Sequence, residues 1–214
     1  MHALDHLLWE ELYLEEGEER FAELTGVAPT YGGVHPEAGT HNSLLSLGPT
    51  YLELIALTPE RLHEADLPDG TLASFTPGLL AFGVGADDLE RVEKLAEATD
   101  LQVAHSHEVT RRTPEGALLR WRTLTIGAHN FGNLIPFFTR FDSSREARHP
   151  SETAPKGCDL LEFSAGHPEP ETLSHLYEAL QVDVNVIRSE QPLLRATLAT
   201  PRGEVALSSR ESFR

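Results

Sequence analysis

The sequence predicts an α+β fold built from repeats, on three observations. A short apolar run, an acidic amphipathic stretch and a pair of strand-like segments recur three times. The runs are LDHLLWE from Leu4, GLLAFGVG from Gly78 and CDLLEFS from Cys158. A unit of one strand, one helix and a few further strands cannot bury its own sheet face, so the copies must pack against one another. Only the first copy adds polar residues that look like a site: His6 in its opening strand, His41 and Asn42 before a hairpin, and Glu53 within it.

In the first unit a strand over about 4–9 leads to a helix over about 15–25. Phe21 and Leu24 form its apolar side and Gly26 stops it. Residues 28–42 are rich in Gly, Pro and polar groups and read as a loop. SLLSL and YLELIAL, separated by Gly-Pro-Thr, then make a hairpin. A connector over 58–77 carries Pro59, Pro68 and Pro77. In the second unit LLAFGVG is the strand, and Asp87 with Glu90 has the spacing of a helix-capping box. Leu89, Val92, Leu95 and Ala96 line that helix. LQVAHSHEV, ALLRWRTLTIG and LIPFFTRF complete the unit, and 142–157 form a polar crossover. In the third unit PETLSHLYEAL turns Leu173, Leu176, Tyr177 and Leu180 inward, VNVI supplies a short strand, and LLRATLAT and EVALSS close with a hairpin.

Composition narrows the function classes. The chain has 214 residues, 40% of them hydrophobic, enough for one large or two small domains with a real core. With 34 acidic against 17 basic residues the formal charge is −17, which opposes binding to nucleic acid and to anionic membranes. No basic stripe with interleaved aromatics offsets it. Cys158 is the single cysteine, so no internal disulfide forms; it reads as a buried small hydrophobe in a reducing compartment. No apolar run reaches the roughly 18 residues of a spanning helix, and the acidic start does not read as a signal peptide. A cytoplasmic chain is expected.

In YLELIAL the alternating set Tyr51, Glu53, Ile55, Leu57 puts a carboxylate on an apolar face, where it must be paired, ligated or protonated unless the strand is an exposed edge. If the sheet curls, His6 meets Glu53. Imidazole and carboxylate suit a divalent metal (Zn, Fe, Mn or Ni), or serve as base and acid. His41 and Asn42 lie either at a ligand-binding strand mouth, near His35, or in a turn. Arg120 and Arg122 share one strand face, either toward a cavity, where a carboxylate or enolate oxygen would be bound, or toward solvent. Phe137, Phe138 and Phe141 pack a core or wall a pocket, and His149 closes the cavity or is solvated.

The opening LDHLLW, the GGVHPEAGTHNSLLSLG loop with its strand, YLELIAL, and the later LLRWRTLTIG, PFFTRF and HPS together resemble the glyoxalase-like domain family of the vicinal-oxygen-chelate superfamily. The resemblance covers most of 4–151 and continues more weakly beyond. It implies βαβββ modules whose curved mixed sheets enclose a cavity, with helices outside. Two modules, at about 4–57 and 79–141, would form a domain over 1–151, with a third, related module over 152–214. It implies a histidine from a module's first strand and a glutamate from its last as metal ligands, which match His6 and Glu53. The second unit has no histidine or carboxylate at the matching places.

The expected function is therefore a glyoxalase-like lyase, isomerase or hydrolase, metal-dependent or not, acting on a small oxygenated metabolite. The alternative is a non-catalytic binder that sequesters a small molecule in the same cavity. Glu53 and His41 are the candidate catalytic residues. Asn42, Arg122, His149 and Phe138 are candidate substrate contacts, and His6 with Glu53 the candidate metal ligands. A monomer or homodimer is expected, with a small-molecule ligand and neither nucleic acid nor membrane as partner.

Overall fold

The structure is a computed structural model that describes residues 1–64, 76–99, 101–141 and 148–209. Pro68 in the connector, and residues 142–147 of the crossover, lie outside the described residues. The first unit comprises β1 (Leu4–Glu10), α1 (Leu14–Thr25), β2 (Thr30–His35), β3 (Thr40–Ser46) and β4 (Tyr51–Leu57), followed by the short α2 (Pro59–Glu64). The second comprises β5 (Gly78–Gly85), α3 (Leu89–Glu97), β6 (Gln102–Arg112), β7 (Leu118–Gly127) and β8 (Phe137–Phe141). After α4 (Pro150–Thr153) the third contains β9 (Asp159–His167), α5 (Pro170–Ala179), β10 (Asn185–Arg188), β11 (Leu193–Thr200) and β12 (Gly203–Ser208).

Units one and two close a barrel in the order β1-β4-β3-β2-β6-β7-β8-β5. Within each unit the first strand runs parallel to the last, β1 beside β4 and β5 beside β8. The intervening strands pair antiparallel as hairpins. This is the mixed-sheet βαβββ arrangement with helices outside. The units join along a long antiparallel β1–β5 ladder on one side. On the other side the single register pair Val34–Arg112 links β2 to β6.

That narrow seam explains a glycine. Gly33 has φ +133°, and a Cβ there would stand 1.9 Å from the Arg112 carbonyl oxygen. Only a residue without a side chain lets the two backbones approach. The Gly-rich stretch read as a loop is therefore β2 itself, since its ladder to β3 needs backbone groups and its seam needs a bare α-carbon.

Each barrel strand has two different faces. On β1, β3, β4 and β5 the outer face is apolar: Leu7, Leu45, Leu52, Leu54, Phe82 and Val84 are buried in one cluster with helix residues such as Phe21, Leu89 and Val92. Trp9 meets Phe21 of α1 edge-on at 5.2 Å. α1 ends at Gly26, whose φ of 80° lets its N–H reach back to Ala22. α3 starts one residue later than the sequence spacing implies: Asp88, not Asp87, is the N-cap, because its carboxylate accepts the Arg91 N–H at 3.0 Å.

The third unit repeats the succession of elements but not the sheet. Its strand order is β10-β9-β11-β12. α5 makes a crossover that lays β10 parallel beside β9, whereas β2 and β6 travel to the far end of their modules before hairpins return. This sheet contributes to the barrel's outer core. Phe82 of β5 packs on Phe163 at 5.0 Å and on Tyr177 at 6.4 Å, and the Tyr177 hydroxyl donates to the Leu134 carbonyl. Cys158 is buried, as expected, and burial pushes its thiol pKa up. No helix among the described residues is long and apolar enough to cross a membrane.

Substituting Gly33→Ala should destabilise the protein by about 3 kcal/mol or more, because the strained φ and the clash at the seam act together. Gly85→Ala, whose Cβ would meet nothing closer than Asp5 at 3.7 Å, should change stability by about 0.5 kcal/mol or less. Chemical denaturation of the two variants side by side makes the comparison.

Candidate functional site

The inner faces of the barrel strands meet around Glu53. In β4 the residues Leu52, Leu54 and Ala56 face the outer core, so Tyr51, Glu53 and Ile55 face inward. His6 is in register with Tyr51 and its ring stacks on the tyrosine at 4.7 Å. His6 Nε2 stands 3.6 Å from Glu53 Oε2, and His35 Nε2 stands 3.8 Å from Glu53 Oε1. Asn42 donates its amide N–H to Glu53 Oε1 at 2.8 Å. Glu53, His6, His35 and Asn42 are all less than a tenth exposed. The second unit supplies walls: Phe137 edge-on to His6 at 5.2 Å, Trp121 against His35 at 5.8 Å, and Phe141 stacked on Trp121 at 5.5 Å.

Asp5 organises the histidines. Its carboxylate contacts His6 Nδ1 at 2.6 Å and His149 Nε2 at 3.1 Å. Burial alone would raise the Asp5 pKa, but the hydrogen bonds and charges of the two imidazoles hold it well below the usual carboxylate range. An ionised Asp5 accepts a hydrogen bond from His6 Nδ1–H, and the other ring nitrogen, Nε2, faces Glu53. Burial lowers the His35 pKa, opposed by the Glu53 charge and assisted by that of Arg111. Tyr51 is pushed well above its usual value, first by burial and then by Glu53 and Asp5, so its phenol stays protonated.

Several polar atoms here have no hydrogen-bond partner among the described residues. They are Asn42 Oδ1, Thr139 Oγ1 and Arg111 Nε. Such groups are costly to bury unless a ligand or water meets them.

The sequence-derived site residues divide by strand face. His6, Glu53 and Asn42 come together as expected. His149 sits at the cavity's edge, bonded to Asp5, with its ring near Tyr51 at 5.3 Å and Phe141 at 5.7 Å. Three expectations are corrected. His41 is adjacent to Asn42 in β3 and so points the opposite way, toward Tyr31 and an outer groove with Leu12 and Leu62. Arg122 also faces outward, half exposed, with Glu90 at 3.6 Å and Ser106 at 3.4 Å; Arg120 pairs with Glu108 on the same face. Phe138 is fully buried in the outer core, while Phe137 on one side turns inward and Phe141 stacks on Trp121.

The sequence reading does not single out Asp5, Arg111 or Trp121, and it names Tyr51 only as sharing a face with Glu53. Strand parity finds Trp121, the neighbour of the outward arginines. Arg111 lies in HSHEVTRR, which has no apolar alternation to orient it.

Two imidazoles and one carboxylate are a donor set used by several metals. The fit is incomplete here. Asn42 already occupies Oε1, and Gly83 faces His6 where a further ligand would stand, with Phe137 beside it. Among the described residues no group of three or more His, Cys, Asp or Glu side chains is arranged to hold a metal ion. No chemical step is therefore routed through a metal.

Comparison with known proteins bears on the fold. The glyoxalase-like domain family matches residues 4–181. Among solved structures, a hypothetical protein from Staphylococcus aureus superposes with a TM-score of 0.65 at 17% identity, covering 97% of this chain and 85% of its own. Methylmalonyl-CoA epimerase from Mycobacterium tuberculosis gives 0.48 at 15% identity, over 65% of this chain and 87% of its own. The Streptomyces coelicolor epimerase gives 0.47 at 17%, over 65% and 97%. No curated protein matches the chain.

Asp5 has a depressed folded-state pKa. Its stabilisation is complete above the unfolded value near pH 4 and is lost as pH falls below it. Asp5→Asn should lower stability at pH 7 by about 2 kcal/mol. It should also flatten the decline in stability between about pH 4 and pH 2. Denaturant titrations across that range read both effects.

Proposed function

Because the chain belongs to the glyoxalase-like domain family, we propose that its barrel is an enzyme site in which Glu53 moves a proton on a small oxygenated metabolite. The observation that carries this reading is the buried carboxylate held by Asn42 and faced by two imidazole Nε2 atoms at 3.6 and 3.8 Å. A carboxylate so placed is fixed in orientation and shielded from bulk water, the arrangement a general base needs to meet a carbon acid beside a carbonyl.

Each neighbour has a part. Asn42 positions Oε1 and leaves Oε2 on the His6 side. His6, held through Nδ1 by ionised Asp5, accepts or returns the proton at Nε2. His35, kept neutral by burial, can donate from Nε2 to an oxygen that gains negative charge. Trp121, Phe137 and Phe141 exclude water and shape the space. Were a divalent ion to bind, His6, His35 and Glu53 are the groups that would face it; it would supply electrophilic polarisation of a substrate oxygen.

The second reading is non-catalytic capture of a small molecule in the same cavity. The aromatic lining favours it, since stacked Trp121 and Phe141 with Tyr51 and Phe137 offer a flat apolar surface.

The deciding experiment follows solvent deuterium entering small hydroxy- and oxo-acids by NMR, with and without added Zn, Mn, Ni or Fe. Wild type should exchange the carbon-bound proton of at least one compound. Glu53→Gln should reduce the rate by about 10²- to 10⁴-fold, while His41→Ala, on the outer face, should leave it unchanged. Exchange with none of them, together with tight stabilisation by an apolar ligand that Glu53→Gln does not alter, would favour the capture reading.

A further inference from the structure

Beside the carboxylate cluster lies a groove of about 590 Å³ whose lining includes Gly32, Leu44, Arg111, Thr113, Leu119 and Arg148. It adjoins the site through β3, where Leu44 is the register partner of Glu53. Arg111 also reaches the site electrostatically, since its charge acts on both His35 and Tyr51.

The groove is unusual in what it leaves unmet. Arg111 is 7% exposed, yet its Nε has no hydrogen-bond partner, and no carboxylate forms an ion pair with it among the described residues. The Thr113 hydroxyl in the same lining is likewise buried without a partner. A buried guanidinium without a counter-charge is strongly disfavoured. Among the described residues Arg111 has no such ion pair, in a chain whose formal charge is −17. Two carboxylates, Glu115 and Glu152, also line the groove, but both are exposed at its rim. Arg148, also exposed, adds a second positive charge at the opening.

We propose that Arg111, with Thr113 and Arg148, binds the oxyanion group, carboxylate or phosphate, of the small molecule that occupies the barrel. The guanidinium plane suits two parallel hydrogen bonds to such a group, and the Thr113 hydroxyl supplies a third donor. The oxyanion then lies on the β6 side of the cavity, and the remainder of the molecule extends past Leu44 toward Glu53. The acidic surface makes this an address: an anion is repelled elsewhere and held only where a cation is buried. The proposal rests on the reading of the barrel as the ligand site and gives that ligand a charge.

Isothermal titration of the full chain with sodium malonate and, separately, with inorganic phosphate tests it. Wild type should bind at least one of them, and malonate alone or phosphate alone would identify which oxyanion the site takes. Arg111→Gln should weaken binding by about 10- to 100-fold, and His41→Ala, on the outer face, should leave it within about threefold. Should Arg111→Gln fail to fold, Arg111→Lys and Thr113→Val should each weaken binding by at least about threefold. Binding of neither anion to wild type, or binding that the Arg111 and Thr113 variants leave unchanged, overturns the proposal. Deuterium exchange is read independently. Malonate binding through Arg111 without exchange on any acid removes the proton-transfer reading and keeps the anion site, and the converse result does the opposite.

Discussion

Alternation along each strand sets the terms for the whole molecule. The strands around Glu53, namely β1, β3, β4 and β5, are largely buried on both sides, so residues there that face the cavity have neighbours that face a core. Glu53 lies between Leu52 and Leu54, and His6 is followed by Leu7, all at or near zero exposure except the two polar groups themselves. Apolar burial outside the barrel, at roughly 25 cal/mol per Å², supports strands whose inner faces carry groups that oppose burial. The helices and the third sheet are what complete that outer core. Remove their contribution and the inner cluster has no scaffold to hold it.

The inner cluster is correspondingly built from mutual satisfaction rather than from packing. Asn42, Glu53, His6, Asp5 and His149 form a connected series of polar contacts from β3 across β4 and β1 to the segment before α4. Breaking one link leaves a buried acceptor or charge behind, and that penalty exceeds the net gain of making the link. The series ends at His149, which is about a quarter exposed. The series thus runs from the enclosed carboxylate to a side chain at the protein surface.

Much of the fold was legible in the sequence because it is written in hydrophobic period. LDHLLWE, YLELIAL and LLRWRTLTIG alternate, and α1 and α3 carry apolar stripes. β2 was not legible, because a strand made of Thr-Tyr-Gly-Gly owes its existence to a backbone approach that only the folded partner imposes. The different strand order of the third unit was hidden for a related reason: periodicity locates strands but not their neighbours. At the site, Glu53 and His6 were found from a carboxylate out of place on an apolar face. His41 and Phe138 were misplaced by grouping sequence neighbours, although adjacent residues of a regular strand face opposite ways. Arg122 was misplaced because an alternating arginine pattern reads the same whichever face is solvent. Arg111 was missed because its meaning depends on a missing partner, and absence of a partner has no sequence signature.

Gly83 pairs directly with His6, and a Cβ at that position would meet the imidazole at 2.8 Å. A duplicated half-barrel begins with two equivalent sets of inward positions, and here only one of them keeps ionisable groups in its first and last strands. The other set carries no such charge at its matching places. Its inner surface is set by the size and shape of Thr139, Trp121, Phe137 and Phe141. A designer reshaping the interior of this barrel would begin on those strands, where a change of volume leaves the ionisable groups of the first half in place.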